Sequence, residues 1–318
     1  QLEAIGEKAF DNAMATGSSK NLIDIIKFPK TIKKIGKEAF GQTGSADPKT
    51  DWIVFSTTDE NAIKAIEFGS KWQPHDDDDC TIYVPSEKLI NVYKSASNFN
   101  PNGFGVKVGH YGFYKCGDID AKFSYDPKDG TARIIDCNDG DNVFVVPPTI
   151  KTEGIEFKVT SIAHMPKKVH VDGVDFTQAT NLTTIENSAF EHWGLVGSMC
   201  NFDFSNTSLV TIGDYAFNNA MSAENQNNAI SLVKFPTTIQ KIGKEAFGQE
   251  DGVDPKTDEI IFTTTDETVI SNITFGSKWA PHKNEGGTIF VPNAYLIDIY
   301  KNKDNFNPRG FKVAAVND

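Results

Sequence analysis

Residues able to do chemistry are scattered through the 318-residue chain, and few stand at spacings that a reaction needs. Asp76-Asp77-Asp78-Asp79, between His75 and Cys80, gathers carboxylates that could surround a hard cation such as Ca²⁺. A second copy of the same loop reads Lys283-Asn284-Glu285-Gly286-Gly287, so the segment does not depend on the acids and the run reads as a solvated loop. Asp136-Cys137-Asn138-Asp139-Gly140-Asp141-Asn142 has part of a calcium-loop spacing but lacks the closing Glu, and reads as a polar turn. Among the histidines (His75, His110, His164, His170, His192, His282) no two stand at the i, i+4 spacing that holds zinc on one helix. His75 and His282, each in Trp-x-Pro-His, read as loop-tip residues beside a packed Trp.

The chain has no Gly-x-Ser-x-Gly elbow, no phosphate loop and no His-Glu-x-x-His. Gly103-Phe104-Gly105 has only the first spacing of a dinucleotide fingerprint. Paired carboxylates for glycoside hydrolysis meet in space rather than in order, and nothing specific supports them. The expectation is no catalytic residue, no metal and no cofactor.

Four cysteines (Cys80, Cys116, Cys137, Cys200) are too few and scattered for a disulfide framework, and Cys116 with Cys137, though close to one hairpin, read as reduced thiols. Asn181-Leu182-Thr183, Asn206-Thr207-Ser208 and Asn272-Ile273-Thr274 match the N-glycosylation triplet, a signal that matters only in a eukaryotic secretory host. A formal charge of −12 repels phosphate backbones and anionic headgroups, so nucleic acid is not an expected partner. No apolar run has the length of a membrane span, and direct insertion is not expected either.

What must position any site is a repeat. Residues 1–106 align without a gap on 208–313, with 59 of 106 positions identical. Inside each copy the hexamer Ile-Gly-x-x-Ala-Phe serves as a ruler. It occurs at Ile5, Ile35, Ile212 and Ile242, with variants at Ile185 and Ile162, and extending it through Ile270 and Ile297, or Ile63 and Ile90, gives spacings of 23 to 30 residues. That is a solenoid period. Each unit also carries a short alternating strand that is often stopped by Pro, as in Ile26-Lys27-Phe28-Pro29 and Val233-Lys234-Phe235-Pro236. The hexamer's Ile, Ala and Phe are expected to face inward, and its Gly to serve a tight backbone turn.

These residues, Leu-x-x-Ile-Gly-x-x-Ala-Phe after a strand ending in Ile/Phe-Pro, resemble the BspA-like leucine-rich repeat proteins. Thr81-Ile82-Tyr83-Val84-Pro85 with Tyr93-Lys94, and Thr288-Ile289-Phe290-Val291-Pro292 with Tyr300-Lys301, resemble that family's closing coil. The stretch 121–162, with its Asp126-Pro127-Lys128-Asp129-Gly130 turn, resembles its opening hairpin and first coil. The expected fold is an α/β repeat solenoid, a right-handed leucine-rich-repeat superhelix with short parallel strands, a β-hairpin N-cap and a C-terminal capping coil. Residues 1–109 read as the last four coils and cap of a first module. Residues 110–318 read as a complete second module, with a hairpin cap over 110–142 and six coils and a closing cap over 143–318. Because the first copy opens in mid-coil, the chain reads as a fragment with about 100 residues upstream.

The resemblance implies export and display on a bacterial surface, a role in adhesion, and no shared catalytic residues. Strand alternation then points to the contact surface: the outward residue of each strand forms a column along one face. It runs Lys27, Val54 and Tyr83 in the first copy, and Asp175, Asp203, Lys234, Ile261 and Phe290 in the second. Exposed apolar and aromatic residues in such a column suit binding of a host or bacterial protein, or a glycan. A spacer that holds other domains away from the cell is the competing reading. Exposure of Ile261, Phe290, Val54 and Tyr83 favours binding, and their burial favours the spacer.

Overall fold

A computed structural model describes residues 2–11, 13, 22–41, 49–74, 80–152, 154–165, 169–195, 199–220, 229–248 and 256–316. The chain divides into two compact units, Gln1–Tyr111 and Gly112–Asp318, each with its own apolar core. The acidic run Asp76–Asp79 and His75 lie outside the described residues.

Most coils add one strand to each of two parallel sheets. In the first unit Leu22–Phe28, Lys49–Phe55, Thr81–Val84 and Gly105–Val108 pair in that order, while Ala4–Ile5, Lys34–Ile35 and Glu67–Phe68 form the other sheet. In the second unit Met199–Asp203, Ala229–Phe235, Lys256–Phe262, His282–Val291 and Lys312–Ala315 form the first kind of sheet. The other begins with a meander of Tyr111–Cys116, Ile119–Asp126 and Thr131–Cys137, in which the last two run antiparallel. It continues in parallel through Ile155–Ile162, Thr184–Ile185, Thr211–Ile212, Lys241–Ile242 and Thr274–Phe275. Helix is sparse among the described residues: Glu60–Lys64, Glu87–Lys94, Glu267–Asn272 and Leu296–Lys301. The architecture is a parallel-strand solenoid, and helix contributes less to it than an α/β reading implies.

Equivalent side chains of successive coils stack along the interior. Ile162, Ile185, Ile212 and Ile242 are all buried in one line of register. Phe190, Phe217 and Phe247 stack at 4.8 and 5.0 Å with nearly parallel rings. Each such buried ring contributes about 2 kcal/mol by burial and each ring pair about 1 kcal/mol more, and neither is available to an isolated coil. At the first hexamer Ala9 is exposed, and Phe10, 47% exposed, stacks on Phe40 at 4.9 Å in the same way as the later rings.

The ruler also slips once in each unit. Register places Phe68 beside Ile35 and Phe275 beside Ile242, not Ile63 and Ile270. Ile63 and Ile270 belong to short helices inserted in those coils, each started by an aspartate whose carboxylate accepts from backbone N–H: Asp59 from Ala62, Asp266 from Thr268 and Val269. Ile90 and Ile297 sit in the closing helices. The hexamer there has become Phe-Gly-Ser-Lys-Trp, with Trp72 or Trp279 filling the space taken elsewhere by Ala and Phe.

The hexamer glycine serves a different end from a turn. A Cβ on Gly36 would lie 2.4 Å from the backbone N of Glu7, and one on Gly243 would lie 2.4 Å from that of Asp214. Glycine is required because the backbone of the preceding coil passes there. The left-handed residue stands two places further on and is never glycine in these coils: Glu38, Lys71, Ser188, Tyr215, Glu245 and Lys278 have φ between 48° and 59°.

The closing coil is repeated in both units. Trp72 Nε1 donates to the carbonyl of Asn98 at 2.9 Å, and Trp279 Nε1 to that of Asn305 at 2.9 Å. The hydroxyl of Tyr93 donates to the Thr57 carbonyl and that of Tyr300 to the Thr264 carbonyl. Asn100 and Asn307 each bridge the loop before the last strand, donating to and accepting from the backbone of Phe104 and Phe311.

Candidate functional site

The strand face is set by register. Lys27 stands opposite Val54, Val54 opposite Tyr83, and Tyr83 opposite Lys107. In the second unit Asp203, Lys234, Ile261, Phe290 and Ala314 follow one another in the same way. Asp175 lies in a separate two-stranded sheet, opposite Val145. The strands' alternate residues, among them Ile26, Phe28, Ile53 and Phe55 and their counterparts Val233, Phe235, Ile260 and Phe262, point into the core. Lys27, Tyr83, Asp175, Asp203, Lys234, Ile261 and Phe290 are half-buried.

Val54 departs from the expected exposure. It is 2% exposed, yet it does not join the core cluster that takes in its neighbours Ile53 and Phe55. Its cover comes from the outer side, where Trp52, Tyr83 and Tyr111 gather: Tyr83 and Tyr111 are 4.5 Å apart, Trp52 and Tyr111 4.8 Å, Trp52 and Tyr83 5.9 Å. Trp52 is two residues along the strand from Val54, which puts both on one face. Burial, and next the Tyr111 hydroxyl beside it, push the Tyr83 phenol up to about 12. Alternation from Val54 could have found Trp52. Tyr111 has no such signal, because it lies outside that sheet, at the start of the next strand, Tyr111–Cys116.

A second outward column lies beside the first. Leu232 is paired with Glu259, and Glu259 with Thr288, where the first unit has Ile25, Trp52 and Thr81. The exchange of Trp52 for Glu259 is the largest chemical difference between the two faces.

Asp175 and Asp203 have local work. Asp175 accepts from the backbone N–H and hydroxyl of Thr177 at 2.8 and 2.7 Å, and Asp203 accepts from the N–H of Ser205 at 2.8 Å. Where residue i is Lys27, Tyr83, Lys234 or Phe290, residue i+2 is proline and has no N–H to satisfy. Asp203 also meets Lys234 at 3.9 Å.

Among the described residues the other chemistry-bearing side chains serve local contacts. No group of three or more His, Cys, Asp or Glu that could hold a metal occurs among the described residues. Asp139 accepts from the N–H of His170 at 3.0 Å and so fastens its loop to the next coil. Cys80, Cys116 and Cys137 are buried thiols, and burial pushes that of Cys116 up to about 12, which leaves it unreactive at neutral pH. The side chains of Asn181 and Asn272 donate to the carbonyls of Pro148 and Thr268. Lys122 and Asp136 form a buried ion pair at 3.0 Å inside the opening meander. No helix among the described residues is long and apolar enough to cross a membrane.

The chain matches the family of the BspA type leucine rich repeat region, in six copies, over residues 1–48 and 173–275. No curated protein and no solved structure matches the chain. The matched segments hold the hexamer coils, and the sheets run on beyond them through both closing coils and the opening meander. Repeats of this type are commonly surface or protein-interaction modules. Over these two segments, 151 of the 318 residues, the chain carries BspA-type leucine-rich repeats, and its stacked coils and hexamer register agree with that match.

Proposed function

We propose that this chain is a non-enzymatic interaction protein, displayed at a bacterial cell surface, that binds another protein through the strand face of its second unit. The observation that carries this reading is the in-register run of half-buried Ile261, Phe290 and Ala314, with Lys234 at its head. Apolar side chains left in a contiguous strip on a regular sheet are unfavourable unless something covers them. Aromatic residues in such strips are frequent anchors of binding energy.

A second reading draws on the first unit. There Val54 is buried and the rings of Trp52, Tyr83 and Tyr111 close over the face, as suits a spacer. The test is an array of extracellular proteins and glycans probed with wild type, Phe290→Ala and Tyr83→Ala. Capture that falls at least about tenfold with Phe290→Ala supports binding by the second unit, whereas capture of nothing, or capture indifferent to both variants, supports the spacer.

A further inference from the structure

We propose that the strand face of the second unit seats an aromatic side chain that stands next to a basic one on an extended segment of a partner protein. This rests on the binding reading above and names the partner's chemistry. Three observations carry it.

The first is the related face of the first unit, where a ring is already seated. Tyr111 reaches back over Tyr83 and Trp52 after the chain has left its last strand. It can do so because residue 109 is glycine: a Cβ there would lie 2.4 Å from Cε2 of Tyr111 and 2.6 Å from Cδ1 of Tyr83. The face therefore has a shape that takes a ring from an extended chain.

The second is that the second copy has different residues where the first has the glycine and the ring. Val316 occupies the place of Gly109, and each donates its N–H to the matching strand, Gly109 to Val84 and Val316 to Val291. In sequence Asn317 and Asp318 stand where the first copy has His110 and Tyr111. A Cβ in the place of Gly109 would stand where the Tyr111 ring lies in the first unit, and Val316 carries one and is 52% exposed. Phe290, Ile261 and Ala314 are half-buried there.

The third is charge. Residues 112–318 hold 28 acidic and 18 basic side chains, against 15 and 13 in residues 1–111, so nearly all the excess negative charge is in the second unit. Glu259 is exposed beside the apolar strip, in the position of Trp52. A ring on Phe290 and Ile261 with a Lys or Arg beside it, reaching Glu259, satisfies both features at once.

The experiment titrates the intact chain with the hexapeptide Lys-Tyr-Lys-Tyr-Lys-Tyr, its Tyr→Ser form and its Tyr-preserving Lys→Glu form, followed by calorimetry. The parent peptide is expected to bind, and either replacement to weaken it at least about tenfold. Phe290→Ala and Glu259→Lys in the protein are expected to weaken it as much, Ser277→Ala on the other side of the coil not at all, with melting curves showing that each variant is folded. Glu259 is exposed, so its variant keeps the test open should Phe290→Ala unfold. Equal binding of the Ser peptide, no binding of the parent, or indifference to both protein variants overturns the proposal. A partner whose capture needs Phe290 but does not compete with the parent peptide overturns only the proposed chemistry and leaves the binding reading standing. Loss of Phe290 dependence for every captured partner sinks both.

Discussion

At the scale of single residues, the glycine and the left-handed position of the hexamer have opposite needs. Gly243→Ala forces a Cβ into the backbone of Asp214 and is expected to cost about 2 kcal/mol or more, whereas Lys278→Gly removes a left-handed strain of about 1 kcal/mol and is expected to be neutral or stabilising. Urea denaturation of the two variants gives the signs. Asp203→Ala should cost about 1 kcal/mol by leaving the Ser205 N–H without its acceptor, and adding Ser205→Pro should restore most of it by removing that donor. A single loss that the proline does not repair counts against the pairing rule. Tyrosine titration has a defined direction as well. Tyr83 is raised from 10.0 to about 12, and Tyr93 and Tyr300 are raised by burial. Their neutral forms are favoured in the folded chain, so this stability is full below pH 10 and drains as pH climbs from about 10 through about 12. Absorbance at alkaline pH should show these phenols ionising last, together with unfolding.

At the scale of elements, the hexamer was legible wherever its isoleucine persisted, because period and burial coincide at Ile35, Ile185, Ile212 and Ile242. It misled at Ile63 and Ile270 because an inserted helical turn supplies its own buried isoleucine while Phe68 or Phe275 takes over the sheet position. The strand columns could be read from alternation alone, since period two fixes a face whatever the strand pairs with. The cover over Val54 could not, because it depends on Tyr111 of the next strand, whose ring is admitted by the glycine that directly follows Gly105–Val108. The closing coil invites a direct check. Asn307→Ala removes both hydrogen bonds to Phe311, at 2.8 Å each, and should cost about 2 kcal/mol and loosen the last strand. Hydrogen exchange over Lys312–Ala315 should rise before that of Lys256–Phe262, and simultaneous opening of both would show that the cap acts on the whole sheet.

At the scale of the molecule, duplication has kept the scaffold and changed the surface. The Trp, Tyr and Asn hydrogen bonds of the closing coil are the same in both units, while Trp52 has become Glu259, Tyr83 Phe290, Lys107 Ala314 and Gly109 Val316. Substitutions concentrated where the core is indifferent leave the fold readable from sequence and the ligand unreadable from it, since a family of interaction repeats shares its framework rather than its contacts. Charge follows the same division and gives the last expectation: capture of a basic partner by the second unit should weaken as salt rises from 0.05 to 0.5 M, on the scale of the Debye length of about 10 Å near 0.1 M.

The buried indoles have a practical corollary. Trp72 lies sealed within one terminal coil and Trp279 within the other, each with its ring nitrogen held by a carbonyl. Emission from the two is therefore blue-shifted while its own unit is intact and red-shifts when that unit opens. Because Trp52 shares the first unit with Trp72, and Trp193 the second with Trp279, replacing both indoles of one unit by phenylalanine leaves a chain that reports optically on the melting of the other.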